Sequence, residues 1–195
     1  MKRLGLISVF LLCSLWLGAQ TQWRLAKEKD GIKVFLPVKN NGTLQEFKVT
    51  GTIDKTPAQI LAKLKDAKTY PLWIAQISDA KVIKSYNANR FVVWYKIAMP
   101  TGFRDRDVVV ENSIEYLDGG KIKVNLSSKP LDYPKQDGMS RIVVAHGYWL
   151  LIPQGSKTKV TYEFHYDPQI NLPTWLVNKF MVEKPYQTLV NLNKQ

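Results

Sequence analysis

Hydrophobic and polar residues alternate along much of the chain, and a period of two is typical of antiparallel strands with one buried face. The pattern is clearest in residues 46–53, where Phe47, Val49 and Ile53 alternate with charged and polar residues. Similar runs, separated by turn residues, predict a sheet of many short strands. These runs are residues 32–38, 80–86, 90–98, 107–116, 121–128, 141–152 and 158–166.

The pattern changes to a helical period after residue 55. Thr56 can cap a helix there, Gln59 completes a capping box, and Pro57 suits the first helical position. The helix should end before Pro71, because the residue ahead of a proline avoids the helical region.

A second helical segment is predicted from Pro173 to the C-terminus. Its broad apolar arc includes Leu176, Phe180 and Met181, and Pro185 should kink it. A meander of this length should curve, and its concave face must be covered by another element. The sequence therefore predicts an α+β fold in which a curved antiparallel sheet wraps around one long C-terminal helix.

The first 20 residues have the pattern of a secretory signal peptide. Lys2 and Arg3 precede an apolar stretch that ends in small residues, and a polar segment follows. Cleavage near Ala19 or Gln20 would leave one domain, residues 21–195, in the periplasm or outside the cell.

Composition narrows the chemistry open to this domain. The chain has 195 residues, enough for a single domain with a substantial core. Its one cysteine, Cys13, lies in the predicted signal peptide, so we expect no thiol chemistry in the mature protein. His146 and His165 lack the spacing of metal ligands, so we expect no metal and no cofactor.

The formal net charge is +12, and the lysines are spread along the chain among acidic residues. This distribution is typical of a solvated, lysine-rich surface. The same charge would also favour transient contact with an anionic membrane surface. We expect no nucleic-acid partner for an exported protein, and we expect a monomer.

The stretch GFRDRDVVV (102–110) places four charges directly before a buried strand. Strand parity puts Arg106, Val110 and Asn112 on the inward face and Asp107 on the outward face. Because a buried arginine is costly without a partner, Arg106 should pair with a carboxylate or reach the mouth of a cavity. Asn112 should bond a ligand head group, an ordered water or the backbone.

Aromatic residues recur on faces that are predicted to point inward. Tyr95 is in phase with Val93, and Tyr162 is in phase with Phe164. Periodicity leaves open whether such residues fill a solid core or line a hollow one. Trp175, at the start of the last helix, is expected to be in the core.

The two histidines are predicted to differ in their environments. His146 shares an apolar face with Tyr148, so it should be a core histidine rather than a catalytic one. His165 and Glu163 lie on the same face of their strand, opposite the face that carries Tyr162 and Phe164. Both are predicted to point outward.

Five segments, in order, resemble the StAR-related lipid transfer (START) domains. They are WRLAKEKDGIKVF (23–35), LKDAKTYPLW (64–73), PTGFRDRDVVV (100–110), RIVVAHGYWLLIP (141–153) and YDPQINLPTWLVN (166–178). The resemblance covers most of the mature chain and is to a bacterial, exported member of the helix-grip superfamily. It implies a sheet and a C-terminal helix that enclose an apolar tunnel.

The resemblance implies binding, and transfer as an extension of binding, of a lipid or another hydrophobic small molecule without catalysis. The acid–arginine pair that some sterol carriers place inside the cavity is replaced here by Val93 and Asn112. The residues expected to contact the ligand are Val93, Tyr95, Arg106, Val110, Asn112, His146, Tyr148, Tyr162, Phe164, Leu176, Phe180 and Met181.

Two other functions remain open from the sequence. The helix-grip scaffold also hosts polyketide cyclases and aromatases, and His146 and Arg106 would then be the candidate acid–base groups. The third function is a membrane- or protein-docking module whose interior is filled and holds no ligand.

Overall fold

The computed structural model describes residues 21–38, 45–168 and 173–195. The predicted signal peptide lies outside the described residues. Ten strands are present within them: β1 Trp23–Lys29, β2 Ile32–Pro37, β3 Gln45–Ile53, β4 Ile77–Asn87, β5 Arg90–Ile97, β6 Arg106–Leu117, β7 Lys121–Ser128, β8 Ser140–Ile142, β9 Ala145–Gln154 and β10 Lys157–Tyr166. The helices are α1 Pro57–Lys65, α2 Tyr70–Trp73, α3 Thr174–Asn178 and α4 Lys184–Lys194, with a π turn at Lys179–Glu183.

The strands form one open sheet in the order β1-β2-β3-β10-β9-β7-β6-β5-β4. Every pair along this path is antiparallel, whereas β8 pairs in parallel with the start of β6. The sheet and the long C-terminal helix together make the α+β helix-grip fold, so the predicted fold class is confirmed.

Two strand predictions differ from the structure. The edge strand β1 was not expected, because its residues are mostly charged or half-exposed and lack an apolar face. The predicted strand 141–152 is split into β8 and β9 at Val143 and Val144, which are both exposed. This break shifts the inward-facing set of β9 by one residue.

The first helix begins as its sequence predicts. The Thr56 hydroxyl accepts a hydrogen bond from the Gln59 backbone, and the Gln59 side chain accepts one from the Thr56 N–H. Helix α1 ends at Lys65, before Pro71. Pro71 lies in the first turn of α2, where its missing N–H breaks no helical bond.

The C-terminal helix runs from Thr174 to Lys194, and its irregularity is the π turn directly ahead of Pro185. In this turn the Lys184 N–H donates to the carbonyl of Lys179, a wider loop than an α-helical bond closes. Trp175 is 55% exposed, so its placement in the core is wrong. Its neighbour Leu176 takes the inward position instead.

The sheet is buried on both faces around β5 and β6. The inner face packs against the helices and holds the main core. On the outer face, Val92, Trp94 and Val109 form a second cluster beneath Tyr133 and Met139. The last two residues belong to the stretch 129–139, here called the covering loop, which therefore shields part of the outer face from water.

Candidate functional site

A small cavity, here called the inner pocket, lies between the sheet and the helical segment 64–77. Its volume is about 20 Å³, room for about one water molecule. It is lined by Leu64, Tyr70, Ile74, Gln76, Ile77, Tyr95, Val110, Asn112, Leu126, Trp149 and Tyr162. The wall thus comes from α1, α2, the start of β4 and five central strands, rather than from the C-terminal helix.

Four of the residues expected to contact a ligand line this pocket: Tyr95, Val110, Asn112 and Tyr162. The other apolar members of that set are buried elsewhere in the main core. Those core residues are Val93, Phe164, Leu176, Phe180 and Met181. Their contact with a ligand remains a prediction.

His146 and Tyr148 lie on the outer face of β9, so their predicted inward orientation is wrong. His146 is exposed and Tyr148 is half-buried, while Ala145, Trp149 and Leu151 point inward. The break between β8 and β9 explains the error, because a one-residue shift moves a whole strand's side chains to the other face.

His165 and Glu163 lie on the outer face of β10 as predicted, but His165 is only 9% exposed. Its ring stacks on His146 at 4.7 Å between centroids, and it lies 2.9 Å from Glu163 and 3.4 Å from Glu46. Burial opposes a charge on His165, but the hydrogen bond to Glu163 and the charge of Glu46 outweigh it, so its pKa is raised. Burial, followed by the charge of His165, lowers the pKa of His146.

Arg106 points inward and is 5% exposed, as its parity predicts. The expected carboxylate partner is missing among the described residues, because neighbouring Asp105 pairs with Lys96. The Arg106 guanidinium donates to the carbonyl of Arg104, while its Nε has no hydrogen-bond partner within the described ranges. Burial and the charge of Arg104 lower the pKa of Arg106.

Asp107 lies on the outer face as predicted, yet it is only 1% exposed. The covering loop buries it against Arg141, which donates to both carboxylate oxygens at 2.9 and 2.6 Å. Trp94 Nε1 adds a third bond to Asp107 at 2.8 Å.

Arg141 was missed in the sequence, although a buried Asp107 requires such a partner. Beyond Asp107, its guanidinium donates to three backbone carbonyls of the covering loop, those of Pro130, Tyr133 and Pro134. Arg141 therefore fixes the covering loop to the sheet.

In the part of the chain that the structure describes, two polar atoms near the inner pocket have no hydrogen-bond partner. They are Oε1 of Gln76, in the pocket wall, and Nε1 of Trp73. Trp73 packs edge-on against Tyr70 and Trp149, which both line the pocket. The sequence did carry a signal for Gln76, a lone polar residue between Ile74 and Ile77 in a segment that enters the core.

The remaining polar residues of the pocket are uncharged. Asn112 is 4% exposed, and its amide donates to the carbonyl of Val110 at 3.3 Å, a long bond. The Tyr70 hydroxyl donates to the carbonyl of Leu64. Burial raises the pKa values of Tyr70, Tyr95 and Tyr162, so all three stay protonated at neutral pH.

The described ranges contain no cluster of His, Cys, Asp and Glu that could hold a metal ion. Within those ranges, no helix has the length and apolar character needed to cross a membrane. The cyclase alternative requires His146 and Arg106 to lie close together. In the structure, exposed His146 and inward-facing Arg106 lie on opposite faces of the sheet.

Comparison with known proteins supports the fold described above and identifies a protein family that this chain matches. The START domain model matches residues 12–185. An uncharacterized protein of Pseudomonas aeruginosa, PA1579, is 32% identical over 87% of this chain and 84% of that protein. The phosphatidylcholine transfer protein of Rattus norvegicus is 25% identical over 80% of this chain and 75% of that protein.

A solved structure agrees with these sequence matches. The STAR-related lipid transfer protein from Xanthomonas axonopodis superposes with a TM-score of 0.80 at 28% identity, covering 88% of this chain and 97% of that one. Topology, sequence matches and structural likeness therefore agree, and the chain belongs to the START domain family.

Proposed function

We propose that this protein binds a lipid or another hydrophobic small molecule in its interior and does not act as an enzyme. Membership of the START family is the observation that carries the proposal, because named relatives are lipid transfer proteins. The inner pocket supplies a starting point for the ligand, since its wall combines apolar and aromatic side chains with a few polar groups.

The inner pocket must enlarge to hold a lipid, because about 20 Å³ accepts only a small group. The helical segment 64–77 is the element that would move. Its helix α2 has only four residues, and the chain on either side of it is not α-helical. Displacing this short segment would leave the long strand pairs of the sheet intact.

The direct test is to purify the protein under native conditions and measure bound lipid by native mass spectrometry and solvent extraction. We expect about one hydrophobic molecule per protein. Val110→Phe, which fills the pocket, should lower this occupancy, whereas Val82→Phe adds the same group at an exposed position and should not. A protein recovered empty that also takes up no lipid from vesicles would contradict the proposal and favour the docking module.

We further propose that the ligand moves between the protein and membranes, with Trp175 and nearby Lys179 touching an anionic surface. Both side chains are exposed on the C-terminal helix. Indole rings favour the membrane interface, and a lysine adds electrostatic attraction. Trp175→Ala should slow lipid transfer between anionic vesicles, while Tyr116→Ala, which removes a comparably exposed aromatic ring, should not. Transfer that is insensitive to both Trp175 and salt would contradict this part.

The site of action proposed for the domain is the periplasm or the exterior of the cell. The proposal rests on the signal-peptide pattern of the first 20 residues. Cell fractionation should find the processed protein outside the cytoplasm, and deletion of residues 2–20 should retain it inside. Finding the full-length protein unprocessed and in the cytoplasm would contradict this proposal.

A further inference from the structure

The inner pocket has an uncharged wall. Among the described residues that line it, none is acidic, basic or a histidine. The three tyrosines remain neutral, because burial raises their pKa values. A charged ligand group in this pocket would be desolvated with no counter-charge in the wall, which is strongly unfavourable.

The wall of the pocket nevertheless contains a polar atom that lacks a hydrogen bond within the described residues. Oε1 of Gln76, in the wall, is buried without a hydrogen-bond partner among the described residues. A buried acceptor left in this state costs free energy that a ligand donor would recover. Asn112, also in the wall, donates a long bond to the carbonyl of Val110 in its own strand, and a ligand acceptor could offer its amide a shorter one.

A second unpaired polar atom belongs to Trp73, whose ring packs against the pocket wall. Nε1 of Trp73 is buried with no partner in residues 21–38, 45–168 and 173–195, and its ring contacts two wall residues, Tyr70 and Trp149. A ligand group that both donates and accepts would satisfy Gln76 and could also serve Trp73 or Asn112. A hydroxyl does this, and it is small enough for a space of about 20 Å³.

We propose that the inner pocket recognises the hydroxyl group of an uncharged lipid and excludes lipids with phosphate-bearing head groups. The phosphodiester group itself cannot satisfy Gln76, because it has no donor hydrogen. Where the rest of the head group carries a hydroxyl, as in phosphatidylglycerol, the negative charge of the phosphate would have to enter the uncharged pocket with it. This inference rests on the proposed lipid-binding function and deepens it by naming the ligand class. The acyl or ring portion of the lipid would occupy the space opened by movement of the segment 64–77.

The first experiment uses lipids that share their acyl chains and differ only in head group. Delipidated protein is incubated with vesicles that contain equal fractions of dioleoylglycerol, dioleoylphosphatidylcholine and dioleoylphosphatidylglycerol, and the re-isolated protein is analysed by native mass spectrometry. We expect dioleoylglycerol to be at least tenfold enriched over either phospholipid. Binding of a phospholipid in its place would overturn the inference and leave lipid binding intact, whereas binding of none would overturn the proposed function as well.

The second experiment tests the hydroxyl and Gln76 together. The 3-O-methyl ether of dioleoylglycerol keeps the chains but cannot donate, so it should bind the native protein about three- to tenfold more weakly than the parent lipid. Gln76→Leu should remove this discrimination, because the leucine has no acceptor. Gln154→Leu, the same change at an exposed position of β9, should retain it.

The stability of the variant separates recognition from misfolding. Since Gln76→Leu deletes an unpaired buried acceptor, it should unfold at an equal or higher denaturant concentration than the native protein when both are lipid-free. Equal affinity of the native protein for the alcohol and its ether would overturn the inference. So would unchanged discrimination in Gln76→Leu.

Discussion

Buried polar groups are fully hydrogen-bonded on the outer face of the sheet near Arg141, whereas some on the inner face lack partners among the described residues. On the outer face, Arg141 is bonded to Asp107 and to three carbonyls of the covering loop. On the inner face, Arg106 is equally buried but has one backbone bond and an unpartnered Nε. Asp107 and Arg106 are adjacent in β6, so the difference arises from what covers each face rather than from the strand itself.

The tryptophans repeat the contrast. The indole N–H of Trp94, on the outer face, donates to Asp107, whereas that of Trp73, on the inner side, has no partner among the residues that the structure describes. Buried polar groups in proteins are normally bonded, so a concentration of unbonded ones has to be explained. We interpret the outer network as structural and the unpaired atoms of Gln76 and Trp73 as positions that a ligand completes.

The largest expected effect comes from breaking the outer network. Asp107→Ala leaves the Arg141 guanidinium buried without its carboxylate and should lower the free energy of unfolding by about 3–5 kcal/mol. Arg141→Met should have a similar effect, because Asp107 then keeps only Trp94 as a side-chain donor. Chemical denaturation measures both, and a loss below about 1 kcal/mol for either variant would mean that the network is not structural.

A much smaller effect is expected on the inner face. Arg106→Met removes a buried charge that has no ion-pair partner among the described residues and loses one bond to the carbonyl of Arg104. These two effects oppose each other, so the free energy of unfolding should change by less than about 1 kcal/mol. If Arg106→Met destabilised the protein as strongly as Arg141→Met, the two faces would not differ in the way described.

The smallest effect depends on pH and comes from the stacked histidines His146 and His165 on the outer face. The pKa of His165 is raised in the folded protein, so its charge stabilises the fold below about pH 6.5, and this contribution disappears as pH rises through the folded pKa. The difference in unfolding free energy between the native protein and His165→Gln should therefore be largest near pH 6, below about 1 kcal/mol, and shrink towards pH 9.

His146→Gln is the matched control for this measurement. Its pKa is lowered, so protonation of His146 favours the unfolded chain, and its removal should stabilise the protein relative to the native form as pH falls below about 6.5. The same sign of pH dependence in both variants would contradict the opposite shifts of the two histidines. Both variants retain the neighbouring carboxylates of Glu46 and Glu163, and also Tyr148, whose hydroxyl donates to Glu163.

Local signals in the sequence were enough for most of the fold. The capping box at Thr56, the alternation of residues 46–53 and the inward parity of Asn112 all depend on neighbours in the chain, and the structure bears out each. Contacts between distant segments were not predictable in this way. The burial of Asp107 depends on the covering loop, and nothing within β6 itself indicates it.

The candidate site was predictable only in part, for the same reason. Tyr95, Val110, Asn112 and Tyr162 were expected near a ligand from strand parity and family resemblance, and all four line the inner pocket. The orientation of His146 depends on a break in the strand at Val143 and Val144. Because these two residues are apolar, the sequence gives no sign of the break. The isolation of Gln76 Oε1 can be recognised only when its surroundings in three dimensions are known.

The two tryptophans also give the most direct test of the central claim. In ¹H–¹⁵N spectra each tryptophan gives one indole N–H signal, which Trp→Phe variants assign. Loading the protein with dioleoylglycerol should shift the Trp73 signal, which gains a partner or a changed environment, and leave the Trp94 signal in place on Asp107. A Trp73 signal that does not move while mass spectrometry shows the lipid bound, or a Trp94 signal that moves as far, would contradict the account.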